Sequence, residues 1–317
     1  MSGSSARPAV LMTGTYPQWD MDALAEQYEL HCLFDTAEKP AVLDKNTAEI
    51  RAIATRGDLG ASAGLMGSLP NLEIVSVFGV GTDSVDLAYA RSRGIKVTNT
   101  PDVLTDDVAD LGVALLLAAA RHIPQGDRLV RAGTWPQGGL PLVTRVSGKT
   151  VGIVGMGRIG AAVARRLRGF DCQISYFARS EKDGFPFRFE PDLVTLARDS
   201  EFLIITLSGG HSTKNMINAE VLAALGPNGI LVNVSRGTTV DEPALLEALQ
   251  NKTIKAAGLD VFWNEPNINP AFFTLENAVL QPHHASGTVE TRKAMGQLVR
   301  DNLAAHFAGK PLLTPVG

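Results

Sequence analysis

Cysteine is scarce in this chain: 317 residues contain two, Cys32 and Cys172. They lie far apart in apolar contexts, which excludes a disulfide framework and points to a reducing, cytoplasmic compartment. Long apolar runs are missing too. The longest, LGVALLLAAA at 111–120, is about half of what a membrane-spanning helix needs and reads as a buried helix. The polar Ser/Gly stretch at 1–8 lacks the basic region and apolar core of a secretory signal. There is no basic excess: 29 Lys and Arg against 33 Asp and Glu leave a formal charge of −4, which argues against nucleic acid or an anionic membrane as a partner.

What the chain does have is glycine, 31 residues of it, and short β-branched runs alternating with helical patterns. Strands are expected at 9–12, 29–34, 53–55, 74–77 and 96–98, with helices such as 21–28 and 87–93 between them. A second series follows, with strands at 151–154, 174–177, 202–207, 230–234, 257–261 and 279–281. Its helices lie near 161–168, 219–225 and 243–250, and Asn218 and Asp241 are placed to cap the last two. A final helix, 288–307, sets Met295, Leu298, Val299, Leu303 and Phe307 on one stripe before Gly309 and Pro311 stop it. This alternation predicts an α/β protein of two doubly wound parallel sheets, with ligands at the carboxyl ends of the strands.

One such end carries a cofactor motif. In VGIVGMGRIG (151–160) an apolar strand runs into Gly155-x-Gly157-x-x-Gly160, and a helical stretch follows. The glycines would supply a tight turn, close approach to a pyrophosphate and close helix–sheet packing; a packing turn without a ligand is the alternative. After the next strand an NAD site wants an acidic residue for the ribose 2′-hydroxyl. Here the residues are Ala178, Arg179 and Ser180. Losing the acid while gaining a guanidinium favours NADP(H), with NAD(H) as the second choice, unless Arg179 is only an exposed residue in a polar turn.

Three titratable residues fall just past other strand ends: Arg236 in NVSRG, Glu265 in GLDVFWNEP and His283 in QPHHASG. Reduction of a small 2-keto acid needs a cation for carboxylate and carbonyl, and a proton donor for the developing alkoxide. An arginine and a histidine steadied by a carboxylate meet those needs. Separately each has a bland reading, as a solvated arginine, a loop glutamate or a turn histidine; the combination carries the inference. No metal site is expected, because adjacent His283 and His284 point apart and no third ligand is suggested.

These segments, with FGVGTDSVD (78–86), NTPDVLTDDVADLGVALLL (99–117), NVSRGTTVDEPAL (233–245) and PHHASGT (282–288), resemble the D-isomer-specific 2-hydroxyacid dehydrogenases over essentially the whole chain. Through DCQISYFARS, SGTVETRKAM and HFAGKPLLTPV the chain is most similar to the glyoxylate/hydroxypyruvate reductases and their hydroxyphenylpyruvate-reducing relatives. The resemblance implies a Rossmann cofactor domain (100–287) inserted into a flavodoxin-like substrate domain (1–99 and 288–317), and a homodimer joined through the cofactor domains. It implies that Arg236 binds the substrate carboxylate and carbonyl, that His283 is the general acid/base with Glu265 as its partner, and that Val80 and Gly81 offer backbone N–H groups to the carboxylate. Thr105, Met156, Gly157, Arg158, Ile159, Ala178, Arg179, Ser180, Val234, Asp260 and Gly287 would line the cofactor.

The implied activity is NADPH-dependent reduction of glyoxylate or hydroxypyruvate to glycolate or D-glycerate. Bulkier 2-keto acids such as hydroxyphenylpyruvate, and a nucleotide-sensing corepressor-like protein on the same fold, are the alternatives. Three positions depart from the family pattern: Ala178 replaces the NAD-type acid, Gly138 stands where some relatives place a second tryptophan after that matching Trp135, and His284 replaces an aliphatic residue and is expected to pack.

Overall fold

Strands that carry helices on both faces must be apolar on both faces, and the short runs of this sequence meet that demand. In the computed structural model, which describes residues 7–34 and 47–316, strands such as β1 (Ala9–Met12) are buried at every position. Residues 1–6 of the polar leading stretch lie outside the described residues.

The chain divides into two compact units, Met1–Leu104 with Gly287–Gly317, and Thr105–Ser286. The expected divisions at 99/100 and 287/288 differ from these by a few residues. The first differs because the helix Thr105–Arg121 packs with the helix Arg158–Arg168 and strands of the second unit.

The first unit is a parallel sheet in the order β2-β1-β3-β4-β5, formed by β1, β2 (Glu29–Cys32), β3 (Ile50–Arg56), β4 (Ile74–Phe78) and β5 (Lys96–Thr98). This is the flavodoxin-like order. Leu11, Ile53, Met66, Leu69, Val75 and Val77 are among its core residues. Strand ends differ from expectation where a neighbour decides them: the run expected to reach 34 stops at Cys32, because β1 offers only four residues to pair with.

The last helix, Val289–Phe307, packs against β4 and the helix Gln18–Gln27, and Thr288 caps it by accepting from the Thr291 N–H at 3.2 Å. Of the expected stripe, Met295, Val299 and Leu303 are buried, whereas Leu298 and Phe307 stay partly exposed. Asn302 is fully buried on the inner side. Its Nδ2 donates to Leu298 O (2.8 Å) and Thr314 Oγ1 (2.9 Å), while its Oδ1 accepts from the Leu313 and Thr314 N–H groups. One amide thus ties the carboxyl-terminal tail to its helix.

The second unit holds seven parallel strands in the order β12-β11-β10-β9-β6-β7-β8. They are β6 (Thr150–Val154), β7 (Gln173–Phe177), β8 (Arg188–Phe189), β9 (Phe202–Ile205), β10 (Ile230–Asn233), β11 (Ala256–Leu259) and β12 (Ala278–Leu280). The two residues of β8 are too few to leave a sequence pattern. The strand order changes sense between β6 and β9, which run parallel, and this is where a doubly wound sheet opens its ligand crevice. Asn218 and Asp241 cap their helices as expected.

No disulfide joins Cys32 and Cys172, and no described helix is long and apolar enough to cross a membrane. The helix Ile123–Arg131 and the segment after it expose Ile123, Val130, Trp135, Leu140 and Leu142, the last completely.

Replacing Asn302 with alanine strands several buried polar groups at once, at about 2–3 kcal/mol. The thermal unfolding midpoint should fall by roughly 5–10 °C; calorimetry showing a drop under about 1 °C would refute this role for the amide.

Candidate active site

The glycine motif follows β6 directly, and each glycine has its own reason. Gly155 adopts φ +105°, donates its N–H to Phe177 O (2.9 Å) and accepts at its carbonyl from Thr206 Oγ1 (2.6 Å), so the turn is clamped by the end of β7 and the loop after β9. A Cβ on Gly160 would collide with the Gly155 carbonyl, so close helix–sheet packing demands glycine there. A Cβ on Gly157 would meet no protein atom within 4 Å, so packing within the chain does not require that glycine. Gly157 also begins the helix Arg158–Arg168 without a side-chain cap. Exposed backbone without side-chain bulk, at a helix N-terminus, fits a dinucleotide pyrophosphate. Ala178, Arg179 and Ser180 leave β7 beside this turn, with Arg179 and Ser180 exposed. Arg179 makes no ion pair among the described residues.

On the other half of the same edge lie the loops after β10, β11 and β12. Glu265 Oε2 meets His283 Nδ1 at 2.5 Å, although 18 residues separate them. The other oxygen of Glu265 accepts from the Phe262 N–H at 2.7 Å, which fixes the carboxylate in its own turn. His283 Nε2 has no hydrogen-bond partner among the described residues, and the ring is 35 % exposed. A carboxylate on Nδ1 therefore sets tautomer and ring orientation, while Nε2 stays accessible for proton exchange.

His283 is held in the left-handed region at φ +51°, a conformation that costs a non-glycine residue about 1–2 kcal/mol. Asp260, buried at the end of β11, maintains it. Its backbone carbonyl accepts from the His283 N–H (2.8 Å), and its carboxylate from the N–H groups of His284 (2.7 Å) and Ala285 (3.0 Å). Burial raises the Asp260 carboxyl above the usual carboxylate range, and those two amides oppose the shift. His284, expected to pack, is exposed: it contributes its backbone N–H to Asp260, and its side chain points away from the core.

Arg236 follows β10, where Asn233 shapes the turn through Nδ2 to Arg236 O (3.1 Å) and Oδ1 from Ser235 N–H (3.0 Å). The Arg236 Nη1 donates to Ser235 O at 2.8 Å. A Cβ on Gly237 would collide with the Phe262 backbone, so this glycine presses the Arg236 loop onto the Glu265 loop. Trp263 joins the same two loops, donating from Nε1 to the carbonyls of Gly237 (3.2 Å) and Val240 (3.1 Å) and from its backbone N–H to the buried Glu242 (2.8 Å). Asn233, Gly237, Glu242 and Trp263 escaped the sequence reading; the glycine in SRG was the one visible signal.

Of the remaining expected site residues, Thr105 begins its helix and Val234 is buried after β10, both in the second unit. Val80, Gly81 and Gly287 belong to the first. Val80 and Gly81 follow β4, Asn99 Nδ2 donates to Val80 O (2.8 Å), and neither of their N–H groups has a partner among the described residues. Among the described residues no three or more His, Cys, Asp or Glu side chains are grouped to hold a metal.

The model of the D-isomer specific 2-hydroxyacid dehydrogenase NAD binding domain matches residues 113–285. The hydroxyphenylpyruvate reductase of Plectranthus scutellarioides is 48% identical over 302 residues, 95% of this chain and 96% of that protein. The 2-ketogluconate reductase of Gluconobacter oxydans is 53% identical over 273 residues, 86% and 88% of the two chains. A crystal structure of the NADPH-dependent glyoxylate/hydroxypyruvate reductase of Sinorhizobium meliloti, in complex with NADP and malonate, superposes with a TM-score of 0.92 at 45% identity, covering 98% of this chain and 97% of that one.

If Asp260 holds the His283 loop, Asp260→Asn should speed hydrogen exchange at the His284 and Ala285 amides by about tenfold or more, since a hydrogen bond to a charged acceptor contributes about 1.5–3 kcal/mol. Unchanged protection at both would assign the loop's conformation to something else.

Proposed function

The chain belongs to the D-isomer-specific 2-hydroxyacid dehydrogenase family, and from that premise we propose that it reduces glyoxylate or hydroxypyruvate, with NADPH as the preferred nucleotide. It is an oxidoreductase with a nicotinamide cofactor. The observation that carries the proposal is the 2.5 Å contact of Glu265 with His283 Nδ1, with Nε2 left accessible.

In the protonated ring, Nδ1–H rests on Glu265 and Nε2–H is the acid that protonates the keto oxygen. The ring is then neutral, with Nδ1–H still on the carboxylate, ready to take a proton in the reverse direction. Arg236 neutralises a carboxylate and polarises the carbonyl; in the first unit, the N–H groups of Val80 and Gly81 are donors suited to a carboxylate. The nicotinamide, when bound, supplies the hydride to the keto carbon. The products are glycolate and D-glycerate.

The NADPH preference is supported by Arg179, exposed after β7 with no competing ion pair, and by Ala178 in place of an acid. A guanidinium there matches a ribose 2′-phosphate. The exposed apolar side chains of Ile123, Val130, Trp135 and Leu142 in the second unit support a homodimer, because association would remove them from water. A cytoplasmic location accords with two cysteines and no disulfide.

Loss of NADPH absorbance on adding hydroxypyruvate or glyoxylate tests the activity; a protein that binds nucleotide but turns over no 2-keto acid would be a nucleotide sensor instead. His283→Ala should lower kcat by about 10²–10⁴ while the NADPH Kd, from fluorescence titration, stays within about twofold. Wild-type turnover in that variant would remove His283 from the chemistry. Arg179→Ala should weaken NADPH by about ten- to a hundredfold more than NADH, and equal weakening of the two nucleotides would defeat the cofactor assignment.

A further inference from the structure

Reduction needs two groups of this site at one spacing: Arg236 on the carboxylate and carbonyl, and His283 on the keto oxygen. They reach the rim on different loops, after β10 and after β12, and β11 lies between those strands. His283 takes its orientation from Glu265, so the loop after β11 fixes one end of the spacing. The other end depends on the single helical turn Gly237–Thr239, which follows Arg236 directly.

The carbonyls of that turn and its exit show what holds it. Thr238 O accepts from the Asn215 N–H (2.8 Å) and Thr239 O from the Ile217 N–H (3.0 Å), so one grip comes from the segment before the helix Ala219–Leu225. Gly237 O and Val240 O share the indole Nε1–H of Trp263, at 3.2 and 3.1 Å. The Trp263 backbone N–H donates to buried Glu242 at 2.8 Å. Both N–H groups of Trp263 therefore cross from the Glu265 loop to the segment after Arg236, while the neighbouring Phe262 N–H donates to Glu265 itself at 2.7 Å. An indole suits this task because it donates without carrying charge. A lysine or arginine would bring a second cation near Arg236, and a histidine would change charge near neutral pH.

We propose that Trp263 is a positioning residue that sets the distance between Arg236 and His283. The inference rests on the reading in which those two residues act on one keto acid. Without the indole, Gly237 O and Val240 O lose their hydrogen bond to the Glu265 loop, and the turn after Arg236 is held chiefly from the Asn215 side. A keto acid whose carboxylate follows Arg236 still binds, but its oxygen no longer stands opposite His283 Nε2. The cost falls on the transition state, where both groups act at once, and not on the encounter with substrate. Nucleotide binding rests on other loops, those after β6 and β7.

The test is steady-state reduction of glyoxylate and hydroxypyruvate by the wild type and Trp263→Phe, each also carrying His283→Ala, with active sites counted by NADPH fluorescence titration. Phenylalanine keeps a ring in place and removes the Nε1–H. Per NADPH-binding site, Trp263→Phe should lower kcat by about ten- to a hundredfold, with KM for the keto acid within about threefold. In the His283→Ala background no proton donor is left to be misplaced, so the same change should cost less than about threefold. A general loosening of the fold would cost one factor in both backgrounds. Glu242→Gln weakens the bond to the Trp263 backbone N–H and should lower kcat by about three- to tenfold, again through His283, which keeps the test open if Trp263→Phe does not fold. Wild-type kcat in the folded variants, or equal losses with and without His283, overturns the positioning role alone. A wild type that reduces no keto acid defeats the reductase reading as well.

Discussion

Within each sheet every strand pair runs parallel, so every loop that leaves a carboxyl end shares one edge with the others. That directional constraint organises the molecule. It puts the glycine turn after β6 and the arginine, glutamate and histidine loops after β10, β11 and β12 on one rim of the second unit, although more than a hundred residues separate the first from the last. It does the same in the first unit for the loops after β1, β3 and β4. Chemistry built from strand ends needs no further device to be brought together, only to be held.

Holding is the task of buried polar groups. The left-handed backbone of His283 costs about 1–2 kcal/mol, and a single hydrogen bond to an ionised carboxylate contributes about 1.5–3 kcal/mol. The two amides on the Asp260 carboxylate, with the His283 N–H on its carbonyl, are therefore ample to offset the strain. Two carboxylates thus divide the work. Asp260, buried, positions the backbone of the loop; Glu265, partly exposed, orients the imidazole. Gly237 and Trp263 add the third loop to this assembly, so that Arg236 is held by packing as well as by hydrogen bonds.

The two rims use arginine in different ways. Arg179 is exposed and without an ion pair among the described residues, suited to an anion that arrives with the nucleotide. Arg56 is already paired to Asp58, which cancels its net charge.

Residue identity alone determined the βα alternation, the two parallel sheets, the glycine turn and the strand-end placement of Arg236, Glu265 and His283, because each depends on short-range periodicity or on a backbone need that only glycine meets. It could not show that Glu265 reaches His283, since that contact requires β11 and β12 to be neighbours. Nor could it show that Gly237 presses on Phe262, that Asn302 anchors the tail, or that His284 faces solvent. Those were decided by which strands pair and which loops touch, relations between residues distant in the chain for which local pattern carries no signal.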